Sequence, residues 1–445
     1  MLKKDFHHTI VGSNYLSLML AIEWLQTGRD VLVLDDDRMQ LGDLFSNDLG
    51  LLEILYLKTW GEEKHIQCLQ EIEKFAQHRC HYIVGDDVWL KLGLRPSENW
   101  REFSRRLSFA SPHLVADFDD NWVQFVTRVA QAYLRYGGYQ QITPEKLLVY
   151  APPSIKDIYK DFKEYMKTPR NFKEEAIIRG AMGYYSKRVD GEFDEGDIFF
   201  LFISLFSPRF LVNQRLLVDE LLSTYIGLKG HFKQTRMREW LFHKKRPWSV
   251  ELSSYEGIIH PKQLTFVGSL PEGMPFALDP IGSHFMTLEV EAELFEDPGF
   301  ADLTLFILTS EKGLGTNSPF SFIEFSKNKL HLKFLIPSQS GMKIAFVERQ
   351  VRSKFEQFFP LHFPHIPLAS VGELKMNLGP EVFVDPLSRS RVGQGQSLTK
   401  LNILDSSRPG MNERLKNVDY FGPFRIPKMG LFSSLVDLSI ESQFS

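Results

Sequence analysis

The chain has 445 residues, of which 43% are hydrophobic and 24% charged, and its formal net charge is −4. It is long enough for two or three domains and a large core, and the mildly acidic balance excludes the basic profile expected of a nucleic-acid binder. Its two cysteines, Cys68 and Cys80, lie in no CxxC or Cys/His pattern, so no metal site is expected, and so few thiols fit a reducing compartment.

The opening stretch is the most informative. His8-Thr9-Ile10-Val11 is a short apolar strand and Gly12-Ser13-Asn14 a tight turn. The residues that follow carry Leu16, Met19, Leu20, Ile22 and Leu25 at helical spacing. Gly28 falls where a helix-terminating glycine belongs. Val31-Leu32-Val33-Leu34 is the continuous apolar run of a parallel strand buried on both faces, closed by Asp35. This is the order of the first βαβ unit of a dinucleotide-binding fold. In its Gly-x-Gly-x-x-Gly turn, Gly12 takes the first place, Asn14 the second and Ser17 the third. The second glycine ordinarily lets a pyrophosphate approach the backbone, and asparagine brings a side chain into that space. Asp35 stands where a carboxylate accepts hydrogen bonds from an adenosine ribose. A Rossmann-like unit that holds no nucleotide is the competing reading.

Residues 44–111 are mixed. Glu71 to Gln77 reads as helix, and Cys80 to Val84 and Val88 to Leu92 as short strands. Asn121 to Tyr136 is an amphipathic helix stopped by Gly137-Gly138. Thr143-Pro144-Glu145 opens another segment, and helices are expected over Ile155 to Thr168 and Phe172 to Met182. Ile198 to Phe206 is apolar throughout but too short to span a bilayer, so it predicts a buried helix or, failing that, a surface touching membrane. Leu216 to Tyr225 reads as a helix ending at Gly227 or Gly230. A strand at His231-Phe232-Lys233 follows, then a meander through Met237 to Leu241, Ser249 to Leu252 and Ile258 to His260, then a strand at Leu264 to Val267. Alternating runs at 287–292, 303–308, 320–325, 329–334 and 343–347 predict an antiparallel sheet, with a helix at 351–359. The tail from Asn417 reads as a strand, a turn at Gly422 and a helix from Phe432 to Ile440. The 37 phenylalanines can line an apolar pocket or simply fill an aromatic core.

In this order the chain resembles the FAD-dependent amine oxidase and phytoene desaturase superfamily, to which the Rab GDP-dissociation inhibitors and escort proteins also belong. The resemblance rests on the opening βαβ unit and on Gly42, which matches the second glycine of the family's Gly-Gly-Arg. It rests further on the helix, strand and meander from Leu216 to Pro271, on the β-rich stretch, and on Gly422 in the last strand's Gly-Asp. The chain departs from the pattern at Leu41 and Asp43, at Phe210 to Gln214 where a Pro-x-Gly-Gly turn is usual, and at Pro423 in place of the aspartate. The fold class implied is α/β: a Rossmann-like FAD/NAD(P)-binding domain with a β-rich α+β substrate domain and a helical insertion. The corresponding division is 1–50 for the N-terminal βαβ unit, 51–210 for a mixed and helical insertion or cap, and 211–280 for the second part of the FAD-type domain. An antiparallel substrate domain then takes 281–370, and 371–445 returns to the FAD-type domain.

The resemblance implies FAD as cofactor, held by Gly12, Ser13, Asn14, Ser17, Asp35, Gly42, Gly422 and the backbone near Met237. It implies hydride transfer to the flavin from an apolar or amine substrate. No catalytic residue is assigned; His231, His260, His284 and His331 are available but stand in no catalytic pattern. The alternative is a non-catalytic relative that binds a protein or lipid in the manner of the GDP-dissociation inhibitors, which the replacements at Asp43 and Pro423 favour. The basic run His243-Lys244-Lys245-Arg246 is then a partner contact, and otherwise the solvated tip of a hairpin. The first strand begins so early that no leader is expected, and no apolar run reaches membrane-spanning length. The expectation is a cytoplasmic protein with no transmembrane segment, at most peripheral membrane contact, and no nucleic-acid partner.

Overall fold

The computed structural model describes residues 5–35, 48–85, 88–93, 95–107, 109, 114–136, 142–168, 170–185, 194–235, 237–243, 246–252, 257–267, 282–291, 305–308, 321–326, 329–337, parts of 349–360, 374–383, 402–404, 412–414 and 417–421. Strands β1 (Asp5–Val11) and β2 (Val31–Asp35) flank helix α1 (Tyr15–Gln26). From His8 onward every residue of β1 is buried, as a sheet covered on both faces requires. Helix α1 is buried from Tyr15 to Trp24. Behind it Gly28 adopts φ 79°, the left-handed turn expected of a helix-terminating glycine.

Strand β3 (Asp48–Gly50) leads directly into α2 (Leu51–Glu63). The short α3 (Gln67–Gln70), a 3₁₀ turn at Ile72–Phe75 and strands β4 (Ala76–Arg79), β5 (His81–Val84) and β6 (Trp89–Leu92) follow. The helix expected over Glu71 to Gln77 is confined to that 3₁₀ turn, because Ala76 and Gln77 are already paired as strand. Helix α2 lacks a clean polar face: Leu51, Leu52, Glu53, Ile54, Tyr56, Leu57 and Trp60 are all buried.

A helical layer comes next: α4 (Pro96–Arg106), α5 (Phe118–Tyr136), α6 (Pro144–Leu148), α7 (Pro153–Lys167), α8 (Phe172–Tyr185) and α9 (Glu195–Phe206). Pro96, Pro144 and Pro153 each open a helix at its first turn, where a missing N–H costs nothing. Asp194 and Asp197 start α9 with reciprocal side-chain to backbone hydrogen bonds of 2.9 and 3.1 Å. The apolar run that follows is a buried helix, with every residue from Ile198 to Phe206 inside. Its Phe199, Phe202 and Phe206 rings meet Trp100, Phe103, Trp122, Phe125, Tyr159 and Phe162 from α4, α5 and α7.

Strand β7 (Arg209–Val212) sits between β3 and β4 in a three-stranded antiparallel sheet. Asn213, the residue standing where a glycine turn is usual, instead caps α10 (Gln214–Gly227) by accepting the Leu216 N–H at 3.2 Å. Then come β8 (His231–Gln234), β9 (Met237–His243), β10 (Arg246–Leu252) and β11 (Ile258–Val267). The two segments read separately at Ile258 to His260 and Leu264 to Val267 are one ten-residue strand. Pro261 lies within it, opposite Phe6. Of the basic run, His243 ends β9 and pairs with Arg246 at the start of β10; Lys244 and Lys245 lie outside the described residues.

Strands β12 (Gly282–Glu291), β13 (Leu305–Leu308), β14 (Ser321–Ser326), β15 (Lys329–Pro337) and β16 (Leu374–Phe383) form a second sheet of order β16-β12-β15-β14-β13-β5-β6. Short β17 (Asn402–Leu404) and β18 (Asn412–Arg414) pair with each other, and β19 (Val418–Phe421) returns to the first sheet. The strand expected at 343–347 and the helix at 432–440 lie outside the described residues. Among the described residues no helix is long and apolar enough to cross a membrane.

The first sheet positions the site. Its parallel strands run β8-β2-β1-β11-β19. In chain order that is third, second, first, fourth, fifth, so the direction of winding reverses between β1 and β11. In open parallel sheets ligands bind at the carboxyl ends of the strands at that reversal. The molecule is therefore an α/β protein of Rossmann-like design.

Candidate functional site

The carboxyl end of β1 is where five of the predicted residues meet. Gly12 adopts φ 121° and donates its N–H to Leu34 O at 2.9 Å. A Cβ added there would lie 2.5 Å from Val267 O, so the ends of β1 and β11 approach closely enough to require glycine. Asn14 is the N-cap of α1. Its Oδ1 accepts the Ser17 N–H at 3.0 Å, and its Nδ2 donates to Val267 O at 2.9 Å. The Ser17 hydroxyl donates back to Asn14 O at 2.6 Å. The Ser13 hydroxyl donates to Asp35 Oδ1 at 2.5 Å, while the Asp35 carbonyl accepts the Thr235 N–H at 2.9 Å.

Gly12, Ser13, Asn14, Ser17 and Asp35 thus form one connected turn. Met237 opens β9 just beyond the end of β8, opposite Leu252, and its side chain is not among those described. Gly42 and Gly422 lie outside the described residues, as do Leu41, Asp43 and Pro423. Of the four histidines, His231 lies in β8, His260 in β11, His284 in β12 and His331 in β15, spread over both sheets.

A dinucleotide at such a turn needs donors at the helix N-terminus for its pyrophosphate and a carboxylate for its ribose. Here Asn14 takes the third helical N–H and ties the turn to β11 across the reversal point. Ser13 takes the acid. As arranged, Asp35 Oδ1 and the Ser17 N–H are already engaged within the turn, which fits the pyrophosphate and ribose of FAD less well than an open turn does.

A second polar cluster joins residues far apart in sequence. Asp48 is buried. Its Oδ2 accepts the Tyr184 hydroxyl at 2.5 Å and Arg209 Nε at 3.1 Å, and its carbonyl accepts Arg209 Nη2 at 2.9 Å. Its Oδ1 faces His81 Nε2 at 3.4 Å and Arg79 Nη1 at 3.7 Å. The Tyr185 ring lies under the Arg209 guanidinium at 4.9 Å, and its hydroxyl is 3.5 Å from His81 Nδ1. Glu53 borders the same guanidinium. Burial alone would raise the Asp48 carboxyl, but the charges of Arg209 and Arg79 outweigh it and hold Asp48 well below the usual carboxylate range. Burial raises Glu53, with Arg209 opposing. The chain crosses from the three-stranded sheet into the second sheet between Arg79 and His81, so the cluster fastens both sheets and α8 together.

Two buried histidines make the fold sensitive to acid. Burial, with Arg209 and Arg79 adding to it, lowers His81 from 6.5 to about 4; burial, His7 and Arg29 do the same to His8. Both are neutral in the folded chain, and the unfolded chain takes up their protons first as pH falls. Stability is therefore present above about pH 6.5 and is lost toward about pH 4, by about 3 kcal/mol at most for each group. Glu53, whose pKa is raised, works in the opposite direction. Urea unfolding across this pH window should show a net fall of a few kcal/mol, and a flat profile would contradict the burial of neutral imidazoles.

No family model matches the sequence, and no curated protein does. Solved structures similar to the chain include a RAB GDI from Plasmodium falciparum, with 10% identity, a TM-score of 0.49 and 100% of this chain matched to 98% of that one. They also include p-nitrophenol 4-monooxygenase PnpA from Pseudomonas putida DLL-E4, with 10% identity, a TM-score of 0.48 and 99% of this chain against 79% of that one. Halogenase PltM follows with 11% identity, a TM-score of 0.45 and coverages of 98% and 67%. Likenesses of this size say nothing about chemistry.

Proposed function

We propose that this chain keeps a dinucleotide-binding type of fold as a scaffold without a dinucleotide, and that it binds a partner rather than transferring hydride. It is then a non-catalytic relative in the sense of the GDP-dissociation inhibitors. The observation that carries this reading is the 2.9 Å hydrogen bond from Asn14 to Val267 O, which joins the ends of the neighbouring strands β1 and β11 at the reversal point. A ligand seated on the N-terminus of α1 meets the Asn14 side chain held by this bond. The partner is a protein or a lipid.

The second reading, an FAD-dependent oxidoreductase of the amine oxidase or desaturase kind, is supported by the Gly12 turn and by Asp35 at the end of β2. The visible absorption spectrum of the purified protein, before and after incubation with excess FAD and removal of free flavin, separates the two. The proposed reading expects no flavin band in either spectrum. A stoichiometric band establishes the oxidoreductase reading. In that case Asp35→Ala should weaken flavin binding by at least tenfold through loss of the ribose contact.

A further inference from the structure

We propose that Ser13 and Asn14 are a two-residue lock that keeps an adenine-dinucleotide site latent in this chain. The inference rests on the reading of the crevice as closed and adds where the closure resides. Among the described residues, two adjacent side chains make it. The Ser13 hydroxyl donates to one oxygen of the Asp35 carboxylate, Oδ1, at 2.5 Å. The Asn14 amide takes the Ser17 N–H at 3.0 Å on one side and Val267 O at 2.9 Å on the other. The second of these bonds joins residues 253 apart in sequence.

Several further elements of such a site lie among the described residues. The strand order reverses between β1 and β11. Gly12 makes the close turn at φ 121°. Asp35 ends β2, and α1 begins directly behind the turn with its axis fixed by burial from Tyr15 to Trp24. Nothing in the backbone forces the lock. Asn14 has φ −84° and ψ 170°, extended geometry open to any residue. Glycine at an N-cap costs helix stability only a few tenths of a kcal/mol relative to asparagine. Ser13→Ala releases the carboxylate, and Asn14→Gly removes both the cap and the tie to β11. The ligand that fits the opened turn is one with a ribose diol for Asp35 and a pyrophosphate for the helix N-terminus.

The test is thermal unfolding of the full chain with FAD, NAD+ or ADP-ribose, since a ligand that binds only the folded state raises the melting temperature with concentration. The wild type should not shift. The Ser13→Ala/Asn14→Gly variant should melt lower without ligand and rise with all three, because all three share the ADP moiety, with binding at least tenfold tighter than in the wild type. Adding Asp35→Ala should abolish the rise. Asn14→Ser keeps a good N-cap while dropping the tie to Val267, and combined with Ser13→Ala it provides a fold-safe opening with a smaller rise. A folded double variant that does not respond to any of the three overturns the lock while leaving the closed-crevice reading intact. A wild type that shifts as far as the variant overturns the closed-crevice reading itself.

Discussion

Replacing Arg209 by methionine should lower the apparent unfolding free energy by about 3–5 kcal/mol, the cost of leaving a buried charge without its partner. Arg209 lies between two buried carboxylates. It binds the Asp48 side chain and carbonyl, and a Cβ on Gly50 would lie 2.7 Å from Glu53 Oε2 and 3.1 Å from Arg209 Nη1, which places the second acid beside it. Without the guanidinium, Asp48 keeps only the more distant Arg79, the Tyr184 hydroxyl and a neutral His81. Asp48→Asn combined with Arg209→Met should recover part of the loss, because the charge that lacks a partner is then gone. Urea unfolding of the two single variants and the double variant measures the coupling. Additive losses would mean that Asp48 and Arg209 do not act as a pair.

Phe202→Ala should cost about 3–5 kcal/mol, the range for truncating a fully buried aromatic side chain. The Phe202 ring lies 5.1 Å from Trp122, 5.2 Å from Tyr159, 5.5 Å from Phe162 and 5.4 Å from Phe206, centroid to centroid. These neighbours come from three helices and are themselves held in place. Trp122 donates its indole N–H to the Ser207 hydroxyl at 3.0 Å, at the end of the same helix as Phe202. A core tied down in this way collapses poorly into a cavity, so the loss should fall in the upper part of the range. Phe202→Leu should cost about half as much. A loss under about 1 kcal/mol for the alanine variant would show that α9 is not the centre of the helical layer.

The parts of the fold that repeat locally were legible before any coordinates. The βαβ opening could be read because its glycines, its helical period and its apolar strands all lie within one stretch. The same holds for α5, α7, α8, α9 and α10, and for the strands β12 to β15. Helix α2 could not be read, because burial on nearly every side removes the polar stripe that reveals a period. Helix α4 escaped for the opposite reason: Pro96, Asn99, Trp100 and Phe103 are its only buried residues in a polar sequence. Pro261 and Lys262 divided β11 into two apparent segments.

The site was legible as a set of positions but not as a set of bonds. The sequence places Asn14 where a side chain intrudes on the turn. It cannot show that the amide finds Val267, or that Ser13 finds Asp35, since those partners are fixed only when the strands align. The Asp48 cluster, drawn from residues 48 to 209, was invisible for the same reason.

The most direct test of the central claim is equilibrium dialysis of the wild-type chain against FAD, with bound flavin counted per chain. The crevice as described, with Asn14 tied to Val267 and Asp35 engaged by Ser13, predicts no saturable binding. Saturation at one flavin per chain would contradict it.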